Sequence, residues 1–386
     1  MIKAIIAHTI ETTDLDYALD ELNGQIKDQG PLLRNVTGII FCNYEFVESG
    51  LVRELCACLP FTVLGCSSQI FAVPDAGEEV MLTLMVLTSD DVEFYAGVSE
   101  PLVTGKGSIL EDLYRGLTMQ GAFVPSLMLI FPPMLSGITG NTLVSILDRV
   151  SGGVPIFGSM AIDITTALRS PVTLFNGSSY PDRLVMVLLK GDVHPRFLAC
   201  SLPGEPRFSH KFTITRVQAN RIISINNRPA AEFLEKLGVI NTGEVEVFYA
   251  FPIVVDYGDG SQSRVFTISK IDADGSLISE QDIPEGGTVN IGTLNGDLVI
   301  ASTQHIIEQI KEIPEPSVLL LVSCFSRILT LRDSLEEVNL VIKQLRDWPL
   351  PFVFFSSGGE ICPILQDGQD KPINSFHQFT IVACVF

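Results

Sequence analysis

The sequence predicts a protein between the α/β and α+β classes, with mixed sheets flanked by helices, repeated β-α-β-α-β-β units and a small inserted α+β domain. Three observations predict it. Apolar runs of strand length alternate with stretches whose apolar residues recur at helical spacing. That order comes three times along 386 residues. Each unit also ends in consecutive strands with no helix between them, which suits a mixed sheet better than a purely parallel one.

The first unit opens with an apolar strand, Ile2 to His8. A helix follows from Asp14 to Ile26, where Leu15, Ala18, Leu19, Leu22 and Ile26 share a face behind a Thr-Thr-Asp cap. Strand Val36 to Cys42, helix Gly50 to Leu59, strand Phe61 to Cys66 and the long strand Val80 to Thr88 complete it. The second unit repeats the order at Val92–Ser99, Ser108–Met119, Leu127–Phe131, Asn141–Val150, Pro155–Gly158 and Leu184–Lys190. The third is read at Asp297–Ser302, His305–Lys311, Val318–Cys324, Leu335–Arg346, Phe352–Gly359 and Phe379–Phe386. Glycine turns recur at Gly65, Gly158 and Gly358-Gly359. Between the second and third copies, Pro203 to Asn295 has short alternating strands, one helix at Ala230–Leu237 and turn pairs Asp259-Gly260 and Asp274-Gly275. Asp272-x-Asp274-Gly275 lacks the later carboxylate of a calcium loop and reads as a hairpin turn.

Charge narrows the partners. With 25 Lys+Arg against 45 Asp+Glu the formal charge is −20, which argues against nucleic acid and anionic membrane. The longest apolar stretch, Val247 to Val255, contains Pro252 and falls far short of the roughly 20 residues of a spanning helix. The apolar start is too short for a signal peptide, so a cytoplasmic protein is expected. The eight cysteines lie mostly in apolar contexts without a CxxC pair and read as reduced core thiols; neither metal nor cofactor is expected.

The turns Gly65-Cys66-Ser67-Ser68 and Gly158-Ser159-Met160-Ala161 lack the glycine spacing of a phosphate loop, so nucleotide is not expected. The strongest constellation is C-terminal. Cys324 and Arg327 follow one strand, Gly359 and Glu360 another, and Asn374 and His377 precede the last. One thiol, guanidinium, carboxylate and imidazole at strand ends suit an amino acid or other small zwitterion. Arg327 would grip a carboxylate through two hydrogen bonds and Glu360 would take an ammonium. The structural alternative pairs Arg327 with Glu360, leaves His377 on a loop carbonyl and buries Cys324. A Cys324/His377 nucleophile pair is the enzymatic alternative. No catalytic set is assigned.

At these residues the chain resembles the FIST family of sensory modules, over nearly its whole length. The N-terminal resemblance rests on Val63-Leu64-Gly65-Cys66-Ser67-Ser68, Pro155-Ile156-Phe157-Gly158 with Asp163, and Phe175-Asn176-Gly177. The C-terminal resemblance rests on Ile225-Asn226-Asn227-Arg228-Pro229-Ala230, Ile283-Pro284-Glu285-Gly286, Ser323-Cys324 with Arg327, Gly359-Glu360-Ile361 and Asn374-Phe376-His377. The first turn departs from the family, continuing as Gln69-Ile70-Phe71 where a Gly-Glu-Ile type ending is usual. The resemblance implies an N-like domain at 1–202, in units 1–91 and 92–202. It implies a C-like domain at 203–386, comprising the small segment 203–295 and the third unit 296–386. It further implies a small-molecule ligand, an amino acid or related metabolite, and a separate signalling output protein. A Cys/His-dependent hydrolase or transferase, and a ligand-free adaptor, are the competing functions.

Overall fold

The computed structural model describes residues 2–102, 107–135, 138–163, 171–202, 205–206, 211–238, 251–256, 264–279, 281–293, 295–332, 334–348, 350–365 and 371–386. The first unit runs β1 (Lys3–Thr9), α1 (Leu15–Asp28), β2 (Asn35–Cys42), α2 (Tyr44–Glu48), α3 (Leu51–Cys58), β3 (Val63–Ser67), the hairpin β4 (Gln69–Val73) and β5 (Ala76–Glu78), and β6 (Leu82–Ser89). The second runs β7 (Glu93–Val98), α4 (Ser108–Met119), β8 (Leu127–Phe131), α5 (Gly140–Ser151), β9 (Ile156–Ser159), the hairpin β10 (Thr173–Phe175) and β11 (Ser178–Tyr180), and β12 (Val185–Lys190). The third starts at β13 (Arg196–Ser201) and is interrupted at once by the small domain. That domain holds β14 (Glu205–Pro206), β15 (Phe212–Gln218), β16 (Arg221–Ile225), β17 (Arg228–Pro229), α6 (Ala230–Lys236), β18 (Phe251–Asp256), β19 (Arg264–Ile271), β20 (Leu277–Ser279) and β21 (Thr288–Thr293). The unit resumes with α7 (Gly296–Lys311), β22 (Leu319–Cys324), α8 (Phe325–Thr330), α9 (Glu336–Leu345), β23 (Phe352–Ser357), the hairpin β24 (Glu360–Ile364) and β25 (Ile373–His377), and β26 (Thr380–Val385).

The strand expected at Asp297–Ser302 is thus helical, the first part of α7, and the third unit's first strand is β13, paired antiparallel with β26. The misreading has a simple cause: Leu298 to Ala301 is an apolar run at the point where the repeat should begin a strand. The cap signal was nonetheless present, since Asn295 Oδ1 accepts from the Asp297 amide at 2.9 Å. The expected turn at Asp259-Gly260 lies outside the described residues.

Three six-stranded sheets result, ordered β1-β6-β2-β3-β10-β11, β7-β12-β8-β9-β24-β25 and β13-β26-β22-β23-β4-β5. β2, β8 and β22 hold the same place in each, beside a parallel partner (β3, β9, β23) and an antiparallel one (β6, β12, β26). The last two strands of every sheet come from another unit. The hairpin of unit two completes sheet one, that of unit three completes sheet two, and that of unit one completes sheet three.

Both faces of each sheet are buried, which explains why the central strands read as unbroken apolar runs. Ile39 and Phe41, Leu129 and Phe131, and Val322 with Phe355 face a core shared by all three sheets. The alternate residues Ile40, Ile130 and Leu321 face the helices of their own unit. In the shared core Phe41 stacks on Phe355 at 3.7 Å between centroids and meets Phe131 edge-on at 5.3 Å. The inserted strands close on themselves, β21 pairing with both β15 and β18, as a small barrel around Ile214, Ile253 and Phe266.

Candidate functional site

The turns after β3, β9 and β23 are buried and knit to one another. The Ile162 amide donates to Ser67 O at 3.1 Å, Gly358 N to Met160 O at 3.1 Å and Met160 N to Gly359 O at 2.9 Å. Ser68 Oγ donates to Ser356 O, and Ser356 Oγ to Gln69 O. Donors that could have faced a ligand are thus used between units. Cys66, fully buried, has its thiol pushed up to about 12 by burial.

The C-terminal constellation is divided. Cys324 ends β22 as the N-cap of α8, and Arg327 lies within that short helix. Arg327 is fully buried, and its charge is met by Glu337 of α9, with Nη2 2.8 Å and Nε 3.1 Å from Glu337 Oε1. Nη2 also donates to Thr303 Oγ1 at 2.7 Å and Val299 O at 3.1 Å, and Nε lies 3.1 Å from Ser323 Oγ. Ser323 Oγ donates to Glu337 Oε2 at 2.9 Å. One ion pair therefore joins α7, α8, α9 and β22. The two-point grip expected from Arg327 is taken up by Glu337, leaving Nη1 buried and without a partner among the described residues.

Glu360 opens β24 and is fully buried. Oε1 accepts from Ser357 Oγ at 2.8 Å, while Oε2 has no hydrogen-bond partner of good geometry among the described residues. Burial holds this carboxyl well above the ordinary carboxylate range. Ser357, the charge of Arg327, the Cys324 thiol and the Thr380 amide oppose that shift without cancelling it. Cys324, 3% exposed, has its thiol pushed up by burial and by the neighbouring Glu360. Cys324, Arg327 and Glu360 thus act on one another electrostatically, with Gly359 alongside. A side chain at Gly359 would meet the Phe376 ring, 2.2 Å from an added Cβ.

Asn374 turns elsewhere, whereas His377 stands directly opposite Glu360 in the β24–β25 pair. Asn374 Nδ2 donates to Asp148 Oδ1 at 2.7 Å and Val154 O at 2.9 Å, and its Oδ1 accepts from the Ile156 amide at 2.8 Å. It fastens the exchanged hairpin to unit two. His377 Nε2 donates to Cys362 O at 3.0 Å. Sequence reasoning missed Glu337 and Thr303 and gave no role to Ser323 and Ser357, the four side chains that hold the set together.

The inserted barrel covers this place. The Thr267 amide of β19 donates to Gln378 Oε1 at 3.0 Å, and Thr267 Oγ1 lies 3.5 Å from Ser326 Oγ. Beneath it Leu202, Val265, Val299, Leu331 and Phe379 form a small apolar contact. The barrel also reaches unit two, where the Thr139 side chain hydrogen-bonds Asp282.

A family model for the FIST N domain matches residues 37–228, and one for the FIST C domain matches 229–363. The chain belongs to the FIST family. FIST domains are sensory domains of signal-transduction proteins. The boundary between the two matches falls inside the barrel, within β17. No curated protein matches the chain. Among solved structures, the cyanuric acid hydrolase of A. caulinodans aligns over 100% of this chain and 99% of its own. Its identity is 8% and its TM-score 0.37, a likeness too slight to bear on fold or activity.

Proposed function

We propose that this FIST protein is a cytoplasmic sensory protein that binds an amino acid or similar small metabolite and passes occupancy to a separate output protein. The ligand site in this reading is the Cys324–Arg327–Glu360 cluster, with Gly359 packed beside it against the Phe376 ring. One observation carries it: Arg327 Nη1 and Glu360 Oε2 are both fully buried, and neither has a hydrogen-bond partner of good geometry among the described residues. Buried polar atoms are nearly always satisfied, so two in one electrostatic neighbourhood favour a missing third participant.

The chemistry follows from their state. Nη1 offers N–H donors to a carboxylate or carbonyl oxygen. Glu360, kept protonated by burial, would ionise when a ligand ammonium arrives beside Oε2, because the ammonium supplies the compensating charge that burial removes. Binding of an amino acid would then release a proton. The thiol alternative gains no support. Burial keeps Cys324 in the unreactive protonated form, and His377 is engaged with a carbonyl.

The test begins with a thermal-shift screen of amino acids and related metabolites, then calorimetric titration of the hit in buffers of different ionisation enthalpy. Wild type is expected to release about one proton on binding. Glu360→Gln should release none and bind roughly 10- to 100-fold more weakly. Equal affinity and equal proton release in the folded variant would remove Glu360 from the site. Rapid alkylation of Cys324 at neutral pH would instead favour the enzymatic reading.

A further inference from the structure

β1 is an edge strand of sheet one, paired among the described residues only with β6, and its other side is met by side chains of α1. Gln29 Oε1 accepts from the Ile6 amide at 3.1 Å while its Nε2 donates to Ile6 O at 2.6 Å. Gln25 does the same to His8, at 2.9 Å in each direction. Each carboxamide thus imitates the peptide group of a neighbouring strand. The match is geometric: four helix residues advance about 6 Å and two strand residues about 6.6 Å, so Gln25 and Gln29 of α1 meet alternate residues of β1.

Alongside this edge runs an open groove of about 830 Å³, with Trp348 on the wall contributed by unit three. Glu21, Asp28 and Asp75 also line it, and none of the three has an ion pair among the described residues. We propose that this groove receives an extended basic segment of a partner protein, which adds to β1 as a further strand by displacing Gln25 and Gln29. The exchange replaces amide-to-backbone bonds by backbone-to-backbone bonds and returns two glutamines to water, so its enthalpic cost is small. The carboxylates, within a chain of net charge −20, select and steer a cationic segment. The lining of this groove shares no residue with the Glu360 cluster, and its test does not depend on that reading.

The experiment is fluorescence anisotropy of the full chain with a labelled peptide of alternating Lys and Thr, about eight residues long, against a Glu-Thr counterpart. Two further Lys-Thr peptides carry N-methyl groups on alternate residues, in one frame or the other. Wild type should bind the Lys-Thr peptide and not the Glu-Thr one, and methylation should abolish binding in one frame only. Gln25→Ala/Gln29→Ala, which removes the competing amides, should tighten binding roughly 3- to 10-fold, and Asp28→Asn/Asp75→Asn should weaken it by a similar factor. Absence of binding, or equal binding of both methylated frames, would overturn strand addition. Dimerisation of the glutamine double variant without peptide binding would also overturn the proposal, assigning the carboxamides to protection of the edge against a second copy of the chain.

Discussion

Arg327 is among the largest fully buried side chains of the molecule, and its charge is tolerated there because Glu337, Thr303, Ser323 and Val299 O surround it. Removing one partner of such a pair leaves an uncompensated charge, so Glu337→Ala should lose about 3–5 kcal/mol in urea unfolding. Arg327→Met combined with Glu337→Leu should recover most of that loss, and a double variant as unstable as the single would count against the account. Glu360 gives a different signature. Its folded-state pKa lies above the ordinary value near 4.5, so it contributes stability that is fully present below that pH. That contribution is lost as pH rises through the folded value, because the unfolded chain releases the proton first. Glu360→Gln keeps the neutral shape at every pH, so its unfolding midpoint should decline less than that of wild type between about pH 5 and pH 8. Superimposable profiles would refute the assignment. The sequence made Cys324, Arg327 and Glu360 legible because all three sit at strand ends of one unit. It hid Glu337, whose neighbours Val338, Val341 and Leu345 form an ordinary apolar stripe with the carboxylate at its margin. A charge at a stripe margin normally faces water, and only the packing of α9 on α7 and α8 turns this one inward.

Among the elements, the central strands and most helices were readable from period alone, and β2, β8 and β22 fell where the repeat required. The three exchanged hairpins were not, for a physical reason. β10, β11 and β5 are three residues long, and each hairpin is stabilised by a strand edge in another unit, so little local pattern marks it. The barrel was legible as a region of different texture, but by splitting β13 from α7 it displaced the apparent start of the third unit. The glycines before these hairpins have a measurable role. A Cβ on Gly65 would lie 1.8 Å from Ile40 O, and one on Gly158 1.8 Å from Ile130 O, backbone contacts that no rotamer change relieves. Gly65→Ala should therefore cost at least about 3 kcal/mol. Gly24, inside α1, has nothing within 4 Å of an added Cβ, and Gly24→Ala should stabilise by about 0.5–1 kcal/mol. Paired denaturation curves decide the matter, and a mild effect at Gly65 would show that the strands can part.

For the whole molecule, hairpin exchange makes each sheet depend on two units. Native-state hydrogen exchange should find β2, β8 and β22 opening in one transition at the highest free energy, with the barrel strands β15 and β16 opening separately and earlier. Distinct opening energies for the three sheets would contradict this coupling. The ring has a further meaning for how such a molecule can be assembled. A single unit standing alone would carry a hairpin with no sheet to join and a sheet edge with no hairpin to fill it. Three separate copies would satisfy one another completely, so the chain is equivalent to a cyclic trimer whose subunits have been joined end to end. In a trimer every subunit is alike and any surface feature appears three times. Joining the subunits removed that constraint, and the barrel, placed in one strand-to-helix connection out of three, gives an otherwise repetitive ring one position unlike the others, beside Cys324 and Glu360.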